Sequence, residues 1–232
     1  MAANRMTKKW LKNHFAYSWW KYMLVICVSI LGVNVLFTTT AYRPPEEKKI
    51  EIYVLNGFVT AQAMQDELLP LFQEACPDQE SFFVANINLS GNDAYAYMQF
   101  STYIAAQQGD VCLMPESEVH KLSAEGAEHA FVDLTEYVSG GVIDTKDIDL
   151  SGGMLRTESG EKRLFAIPAD SLYGLLNHGN DPADSYLVML AHGGNDANAA
   201  RTVNLLIEQY HQEKPEGYDE LHNAQKQQAT YF

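Results

Sequence analysis

The sequence has few cysteines, and the three that it has do not follow the spacing of a metal-binding motif. Cys27 lies in a long apolar run, so a disulfide outside that run would have to join Cys76 to Cys112. The sequence does not show whether these two residues are neighbours in the fold, so they are either paired or buried free thiols. We expect no metal centre and no cofactor.

Motifs for nucleophilic catalysis and for phosphate binding are also missing. The chain has no G-x-S-x-G nucleophile elbow, no P-loop and no G-x-G-x-x-G turn. Two histidine-containing phrases, HGND at 178–181 and HGGND at 192–196, lack the spacing of metal ligands, and their Gly, Asn and Asp residues are typical of turns. Two acidic residues could come together in the fold as an acid–base pair, but no motif indicates an enzyme. We therefore expect no enzymatic activity.

Acidic residues are absent from the first 42 positions, whereas basic residues are scarce in the rest of the chain. The first 42 residues include five Lys and Arg residues, and the remainder carries 11 basic and 30 acidic ones. A domain this acidic repels the phosphate backbone of nucleic acids, so no nucleic-acid partner is expected. The same charge keeps a domain soluble beside an anionic bilayer.

The long uncharged run near the N-terminus predicts a membrane-spanning helix. The residues between Lys21 and Arg43 carry no formal charge, and they make about 30 Å of α-helix, enough to cross the hydrocarbon core. Trp19 and Trp20 lie where an interfacial aromatic belt is expected. No A-x-A cleavage pattern follows the run, so we expect an uncleaved anchor rather than a cleaved signal peptide.

The distribution of basic residues predicts the orientation of this anchor. Five basic residues precede the apolar run, and only Arg43, Lys48 and Lys49 follow it closely, beside two glutamates. By the positive-inside rule the N-terminus is cytoplasmic and the rest of the chain is extracytoplasmic. We therefore expect a single-pass protein of the cell membrane. Its segments are 1–20 (cytoplasmic, basic), 21–42 (transmembrane), 43–49 (linker), 50–213 (extracytoplasmic α/β domain) and 214–232 (polar tail).

Strand-like and helix-like segments alternate beyond the linker. Ile50–Leu55, Phe82–Leu89 and Val111–Pro115 are apolar and strand-like. A helix-like segment with apolar residues at helical spacing follows each of the first two strands. The first of these segments lies at 61–75, and the second ends near Gln108. This alternation predicts an α/β domain with a mostly parallel sheet and helices on both faces.

Three later segments complete the set. Arg163–Pro168 and Tyr186–Leu190 are expected to be strands, and Asn195–Gln212 a final helix. Pro70 lies inside the first helical segment of the domain and is expected to kink or divide it.

The order of these segments, together with three short phrases, resembles extracellular solute-binding proteins of the type II periplasmic fold. The phrases are GDVCLMP (109–115), FVDLTEYV (131–138) and GEKRLFAIP (160–168), and the similarity covers about 50–168. Members of that family have two lobes that close over a ligand. Because only 64 residues follow Pro168, the resemblance implies a periplasmic-binding-protein-like domain with a reduced second lobe. The lipidated cysteine of many members is not expected here.

Polar residues lie where a ligand of such a fold binds. In an open parallel sheet, ligands bind beyond the carboxyl ends of the strands and near helix N-termini. The residues that this rule selects are Asn56, Gly57, Asn92, Asp93, Asp170, Ser171 and Tyr173. Their amides, hydroxyls and one aromatic ring suit a polar solute such as a sugar or a peptide. Asn-Gly and Gly-Asn-Asp also occur simply as turns and caps.

Two functions are consistent with the sequence. A membrane-anchored solute-binding module would hold a polar small molecule for a transporter or a sensor, as the resemblance implies. A non-catalytic interaction or scaffolding domain would instead contact another membrane protein, and the polar residues Ser29 and Asn34 in the apolar run favour that alternative. The resemblance favours solute binding.

Overall fold

The N-terminal helix and the rest of the chain form two separate compact units in the computed structural model, residues 1–43 and residues 44–232. The structure describes residues 8–42, 44–56, 61–89, 94–191, 195–220 and 222. The first unit consists mainly of α1 (Lys8–Thr40). Its portion Ala16–Thr40 is long and apolar enough to cross a membrane.

The described part of the second unit begins with alternating strands and helices, as predicted. Its strands are β1 (Lys49–Leu55), β2 (Ser81–Ile87), β3 (Val111–Pro115), β4 (Met154–Arg156), β5 (Lys162–Leu164), β6 (Ala166–Pro168) and β7 (Ser185–Met189). Its α-helices are α2 (Ala61–Ala75), α3 (Ala94–Ala105), α4 (Glu116–Leu122), α5 (Thr135–Ser139) and α6 (Asp196–Tyr210). Short 3₁₀ helices lie at Glu46–Lys48, Ala127–His129, Leu150–Gly153 and Tyr173–His178.

Five strands form one sheet in the order β2–β1–β3–β7–β6. β1 pairs in parallel with β2 and β3, whereas β7 is antiparallel to both β3 and β6. Four of the five strands therefore run in the same direction, and the predicted α/β class with a mostly parallel sheet is confirmed. β4 and β5 form a separate antiparallel pair.

Helices cover both faces of the sheet, as predicted. The side chains of β1 alternate between the faces: Ile50, Ile52 and Val54 share one core with α2 and α6. Tyr53 and Leu55 share the other core with α3 and α4. The connections β1–α2–β2 and β2–α3–β3 cross the sheet in opposite directions, so right-handed crossovers place α2 and α3 on opposite faces.

α2 is held to the sheet by one apolar stripe. Met64, Leu68 and Phe72 recur every fourth residue and are all buried, and each contributes about 1.5–3 kcal/mol of burial free energy. The Phe72 ring stacks on Phe82 of β2, with 4.4 Å between the ring centroids. The helix continues through Pro70, which is exposed, so the expected division does not occur. Packing of the stripe on both sides of Pro70 compensates for the lost backbone hydrogen bond.

The two cysteines of the domain are buried free thiols. Cys76 belongs to the core under α2 and α6, and Cys112 to the core on the other face of the sheet. The sheet separates the two residues, which answers the question that the sequence left open. Burial raises the pKa of both thiols, so both stay protonated and unreactive at neutral pH.

Two strand predictions differ in detail from the structure. Arg163–Pro168 is divided at Phe165: β5 pairs with β4, and β6 joins the main sheet beside β7. Phe165 is buried in the core, and its backbone N–H donates to the carbonyl of Gly153 at 3.1 Å. The predicted strand at 186–190 exists as β7, but it is antiparallel to both of its neighbours. The sequence does not predict this direction, because a run of buried residues carries no information on strand direction.

Candidate functional site

The carboxyl ends of β1 and β3 meet at a topological switch point. The connection from β1 leads through α2 to β2 on one side, and the connection from β3 leads to β6 and β7 on the other. Neighbouring strands whose connections diverge leave a crevice beyond their carboxyl ends, and ligands of open α/β sheets bind in such crevices.

A cavity of about 390 Å³ opens at this place. Leu55, Leu113 and Leu176 form the apolar part of its wall. The polar part comes from the end of β1 and from the loop that precedes β7, and it consists of Asn56, Asn180, Asp181 and Asp184, with Ser185 at the start of β7. The volume is within the range of small-molecule pockets, about 300–1,000 Å³.

Asn56 ends β1 and ties it to the end of β2. Its backbone has a φ of 60°, a left-handed conformation that Asn adopts more readily than most residues. Its backbone N–H donates to the carbonyl of Ile87 at 2.9 Å, and its Oδ1 accepts a bond from the N–H of Leu89 at 2.6 Å. These bonds fix the side-chain amide at the cavity wall, where its Nδ2 is a further donor.

Asn180 has unmet hydrogen-bonding capacity at the cavity wall. Gly179, with a φ of 75°, ends the 3₁₀ helix, and the N–H of Asn180 donates to the carbonyl of Leu175 at 3.1 Å. The residue is only 4% exposed, and its Nδ2 has no hydrogen-bond partner within the described part of the chain. An unpaired buried amide costs about 1–3 kcal/mol, so this group destabilises the domain as long as it has no partner.

Three carboxylates collect where β3, β7 and β6 lie side by side. Glu116 follows β3, Asp184 precedes β7 and Asp170 follows β6. The N–H of Glu116 donates to the carbonyl of Asp184 at 2.8 Å, and the N–H of Asp184 donates to Oδ1 of Asp170 at 3.3 Å. Partial burial of its carboxyl group raises the pKa of Asp170. The negative charges of Asp184, Glu116 and Asp181 raise that pKa further.

Asp181 has hydrogen-bonding groups at both carboxylate oxygens. The hydroxyl of Tyr218 donates to Oδ1 at 2.5 Å, and Nδ1 of His222 lies 2.6 Å from Oδ2. Burial alone would raise the pKa of Asp181, but the bonds from Tyr218 and His222 outweigh it and lower the pKa. This acid is therefore ionised and held in place by the C-terminal segment.

Part of the segment that the sequence predicts as a polar tail, 214–232, packs on the domain beside the cavity. Tyr218 is 8% exposed and meets the ring of Tyr173 edge-on, with 5.0 Å between the centroids. A lone tyrosine between charged residues gives no periodic signal, so the sequence does not reveal this contact.

Four of the seven predicted ligand-binding residues lie at this edge of the sheet. Asn56 lines the cavity, and Asp170, Ser171 and Tyr173 follow β6. Ser171 Oγ is buried and lacks a hydrogen-bond partner among the described residues. The remaining three, Gly57, Asn92 and Asp93, lie outside the described residues.

Sequence reasoning missed Asn180, Asp181 and Asp184. It interpreted the HGND phrase only as a turn, and the phrase does form a turn at Gly179. In a sheet whose other strands are parallel, however, the residues before an antiparallel strand lie at the carboxyl edge. Knowledge of the direction of β7 would have placed this loop at the site.

A second group of polar residues lies away from this cavity. Glu128, His129 and Glu158 each bring one potential ligand atom within 4.8 Å of the others. All three are exposed, and Oε1 of Glu128 already accepts a bond from the N–H of Glu158 at 2.9 Å. Exposed clusters of this kind are common on protein surfaces without an ion, and we assign no metal to this one.

No protein-family model and no curated protein matches the sequence. The fold is similar to an extracellular solute-binding protein family 1 from Alicyclobacillus acidocaldarius, at 14% identity and a TM-score of 0.38, over 55% of this chain and 29% of that one. It is also similar to an ABC transporter solute binding protein from Agrobacterium vitis S4 with bound D-mannitol, at 17% identity and a TM-score of 0.34, over 54% of this chain and 27% of that one.

A third similar structure is the spermidine/putrescine ABC transporter substrate-binding protein PotD from Streptococcus pneumoniae, in complex with calcium and HEPES. The identity is 12% and the TM-score 0.40, over 69% of this chain and 78% of that one. The chain spans less than a third of the length of the first two proteins. At these identities and scores, the comparisons assign neither a family nor a ligand to this chain.

Proposed function

We propose that the chain is a membrane-tethered binding module that holds a polar small molecule in the cavity at the carboxyl edge of its sheet. The observation that carries the proposal is the Asn180 side chain, which lines the cavity, is almost fully buried and has no partner for Nδ2 among the described residues. If position 180 served only stability, an apolar residue there would give a more stable fold than the unpaired asparagine. Rotation of this amide towards the cavity lets a ligand with a hydrogen-bond acceptor supply the missing partner.

The cavity wall is typical of a site for a small solute. Its three leucines contact apolar surface, and a few placed polar groups, Asn56 and Asn180 among them, fix the orientation of the ligand. A monosaccharide, an amino alcohol or the end of a short peptide matches this combination in size and polarity. No step of the proposal requires bond making or breaking.

The apolar helix α1 supports a tethered module rather than a freely diffusing one. Its length and composition suit a membrane span, and the basic residues that precede the apolar run favour a cytoplasmic N-terminus. A module tethered on the outer face has a high effective concentration near any transporter or sensor in the same membrane. Delivery of the solute to such a partner is the role that we propose.

The test is thermal unfolding of the full chain in a non-ionic detergent with sugars, amino acids, oligopeptides and amines. A ligand at about 100 times its dissociation constant adds roughly 2.7 kcal/mol, a rise of about 5–10 °C for a domain of this size. We expect Asn180→Leu to abolish that rise while the protein stays folded. Asn177→Leu, at an exposed position of the 3₁₀ helix that precedes Asn180, is the matched control and keeps it.

Two results would contradict the proposal. The first is a panel in which no compound raises the unfolding temperature of the wild-type chain. The second is a ligand that stabilises Asn180→Leu as much as the wild type, because such a ligand binds elsewhere.

A second candidate function, docking to another membrane protein, is favoured by one face of α1. Ser29, Ile30, Val33, Asn34 and Phe37 line a shallow groove on that face. A polar side chain in an apolar span can bond to a neighbouring helix, which stabilises association by about 0.6–2 kcal/mol. The test is purification from native membranes. If docking is the function, the wild type and the control Val35→Leu retain a partner protein, and Asn34→Leu loses it. Failure of the wild type to retain any reproducible partner would count against this candidate.

A further inference from the structure

We propose that the occupant of the cavity is an organic cation, namely a small amine that also carries an oxygen acceptor such as a hydroxyl or a carbonyl. This inference rests on the proposed function and narrows it to one class of ligand.

The charge around the cavity is negative. Among the described residues that line it, Asp181 and Asp184 are acidic and none is Lys or Arg. Asp170 accepts a hydrogen bond from the backbone N–H of Asp184, and the backbone N–H of Glu116 donates to the carbonyl of Asp184. A cation that enters relieves the repulsion between these carboxylates, whereas an anion adds to it.

Asp170 does not itself line the cavity, but its Oδ1 accepts a hydrogen bond from the N–H of Asp184, which does, so its negative charge acts on a cation there. The charges that shift its pKa most belong to three other acids, Asp184, Glu116 and Asp181, so it gains from a positive neighbour. Asp181 is less suited to be the main anchor, because Tyr218 and His222 already bond to its two oxygens.

A single metal ion fits these carboxylates poorly. Oxygen ligands lie about 2.3–2.6 Å from Ca²⁺, so three of them must come within about 5 Å of one another. The described residues that meet a limit of 4.8 Å are Glu128, His129 and Glu158, which do not line this cavity. The acids at the cavity are spread more widely, as suits a longer molecule with several N–H donors.

Asn180 adds a requirement that is independent of charge. Its Nδ2 is a buried donor without a described partner, so the ligand must present an acceptor. A simple alkyl amine offers only donors and leaves this group unpaired. An amino alcohol, an amino sugar or an amino acid amide satisfies both the carboxylates and the Asn180 amide.

The experiment compares ligands of similar size that differ mainly in charge. The first set is ethanolamine, ethylene glycol and glycolate, and the second is glucosamine, glucose and glucuronate; ethylamine serves as the amine without oxygen. Binding to the full chain is measured by saturation-transfer NMR in a non-ionic detergent, so that no anionic lipid competes for the amines. We expect the amine of at least one set to bind about tenfold more tightly than its neutral counterpart and ethylamine to bind more weakly than ethanolamine.

Two variants test whether the carboxylate of Asp170 contributes the negative charge that attracts the amine. Asp170→Asn removes one negative charge but keeps an Oδ1 that can accept the bond from Asp184, so the fold is expected to survive. We expect it to weaken binding of the amine about five- to tenfold. Asp78→Asn removes the same charge from the exposed turn between α2 and β2, at the amino edge of the sheet, and leaves the affinity unchanged.

The outcomes separate this inference from the proposed function. If glucose, glucuronate or another neutral or anionic member binds best and Asn180→Leu abolishes its binding, the cavity is a binding site but the cation inference is wrong. If the amine binds equally to wild type and Asp170→Asn, the inference is also wrong. If no compound in either set or in the wider panel binds, both proposals fall.

Discussion

The two faces of the sheet and its carboxyl edge use their side chains in opposite ways. On the faces, apolar residues such as Ile52, Leu68 and Ile207 are fully buried, and two continuous cores hold the helices. At the carboxyl edge, the buried amide of Asn180 lacks a described partner, and the negative charges of three other acids act on Asp170. Natural proteins retain destabilising groups of this kind mainly where function needs them.

The core face should show the largest effect of a single substitution. Leu68→Ala removes a fully buried side chain from the stripe of α2 and is expected to lower the free energy of unfolding by about 2–5 kcal/mol. Urea unfolding of the full chain in detergent measures the loss. Gln73→Ala, at an exposed position of the same helix, is the control and should change stability by less than about 0.5 kcal/mol. A loss below about 1 kcal/mol for Leu68→Ala would mean that α2 is not part of the core.

The contact between the C-terminal segment and the cavity should show the next largest effect. Tyr218→Phe removes the hydrogen bond to Asp181 and is expected to cost about 1–3 kcal/mol at neutral pH. The folded pKa of Asp181 is lowered, so its stabilisation is fully present above the unfolded value of about 3.9 and is lost as the pH falls through the folded pKa. The difference between wild type and variant should therefore shrink only below about pH 4. An effect that is independent of pH down to the acid transition would contradict the role of Asp181.

The edge carboxylates should show a smaller effect, and of the opposite sign. The folded pKa of Asp170 is raised, so the folded state binds its proton first, and the destabilisation is fully present above the folded pKa. Asp170→Asn is expected to increase stability at neutral pH by up to about 1 kcal/mol, because the carboxyl group is only partly buried and solvent screens its interactions. The gain should disappear as the pH falls through the folded pKa to the unfolded one. Urea titrations at several pH values measure it, and a stability loss at neutral pH would show that Asp170 supports the fold.

The amino edge of the sheet provides the smallest expected effect. Asp78→Asn changes one exposed charge in a turn and should alter the free energy of unfolding by less than about 0.5 kcal/mol. The contrast with Asp170→Asn sharpens the comparison, because both variants remove one carboxylate from the same domain. If Asp78→Asn stabilises as much as Asp170→Asn does, the effect reflects the high net negative charge of the domain and not the site.

The sequence predicts the fold well where packing follows a simple period. The four-residue stripe of α2 and the continuous apolar run of β3 are both visible in the residue pattern, because a helix buried on one face and a strand buried on both faces each require such a pattern. The direction of β7 and the division of 163–168 at Phe165 are not visible. Both depend on which neighbour a buried strand pairs with, and many neighbours satisfy a short apolar run.

The candidate site is predicted only in part for the same reason. The rule for the carboxyl ends of strands identifies Asn56 and Asp170, because the direction of β1 and of β6 follows from their place in the βαβ order. Asn180 and Asp181 belong to the loop before the reversed strand β7, and the sequence gives no sign of that reversal. Tyr218 reaches the site from the C-terminal segment, through a contact that no local pattern encodes.

The measurement that tests the central claim most directly is the unfolding of wild type, Asn180→Leu and Asn177→Leu, each with and without the best ligand of the panel. A binding site at the carboxyl edge predicts that Asn180→Leu is at least as stable as the wild type without ligand and gains nothing when ligand is added. Asn177→Leu should respond to the ligand as the wild type does. If Asn180→Leu is instead destabilised by more than about 1 kcal/mol without ligand and still responds fully to it, the amide is a structural group and the cavity is not the site.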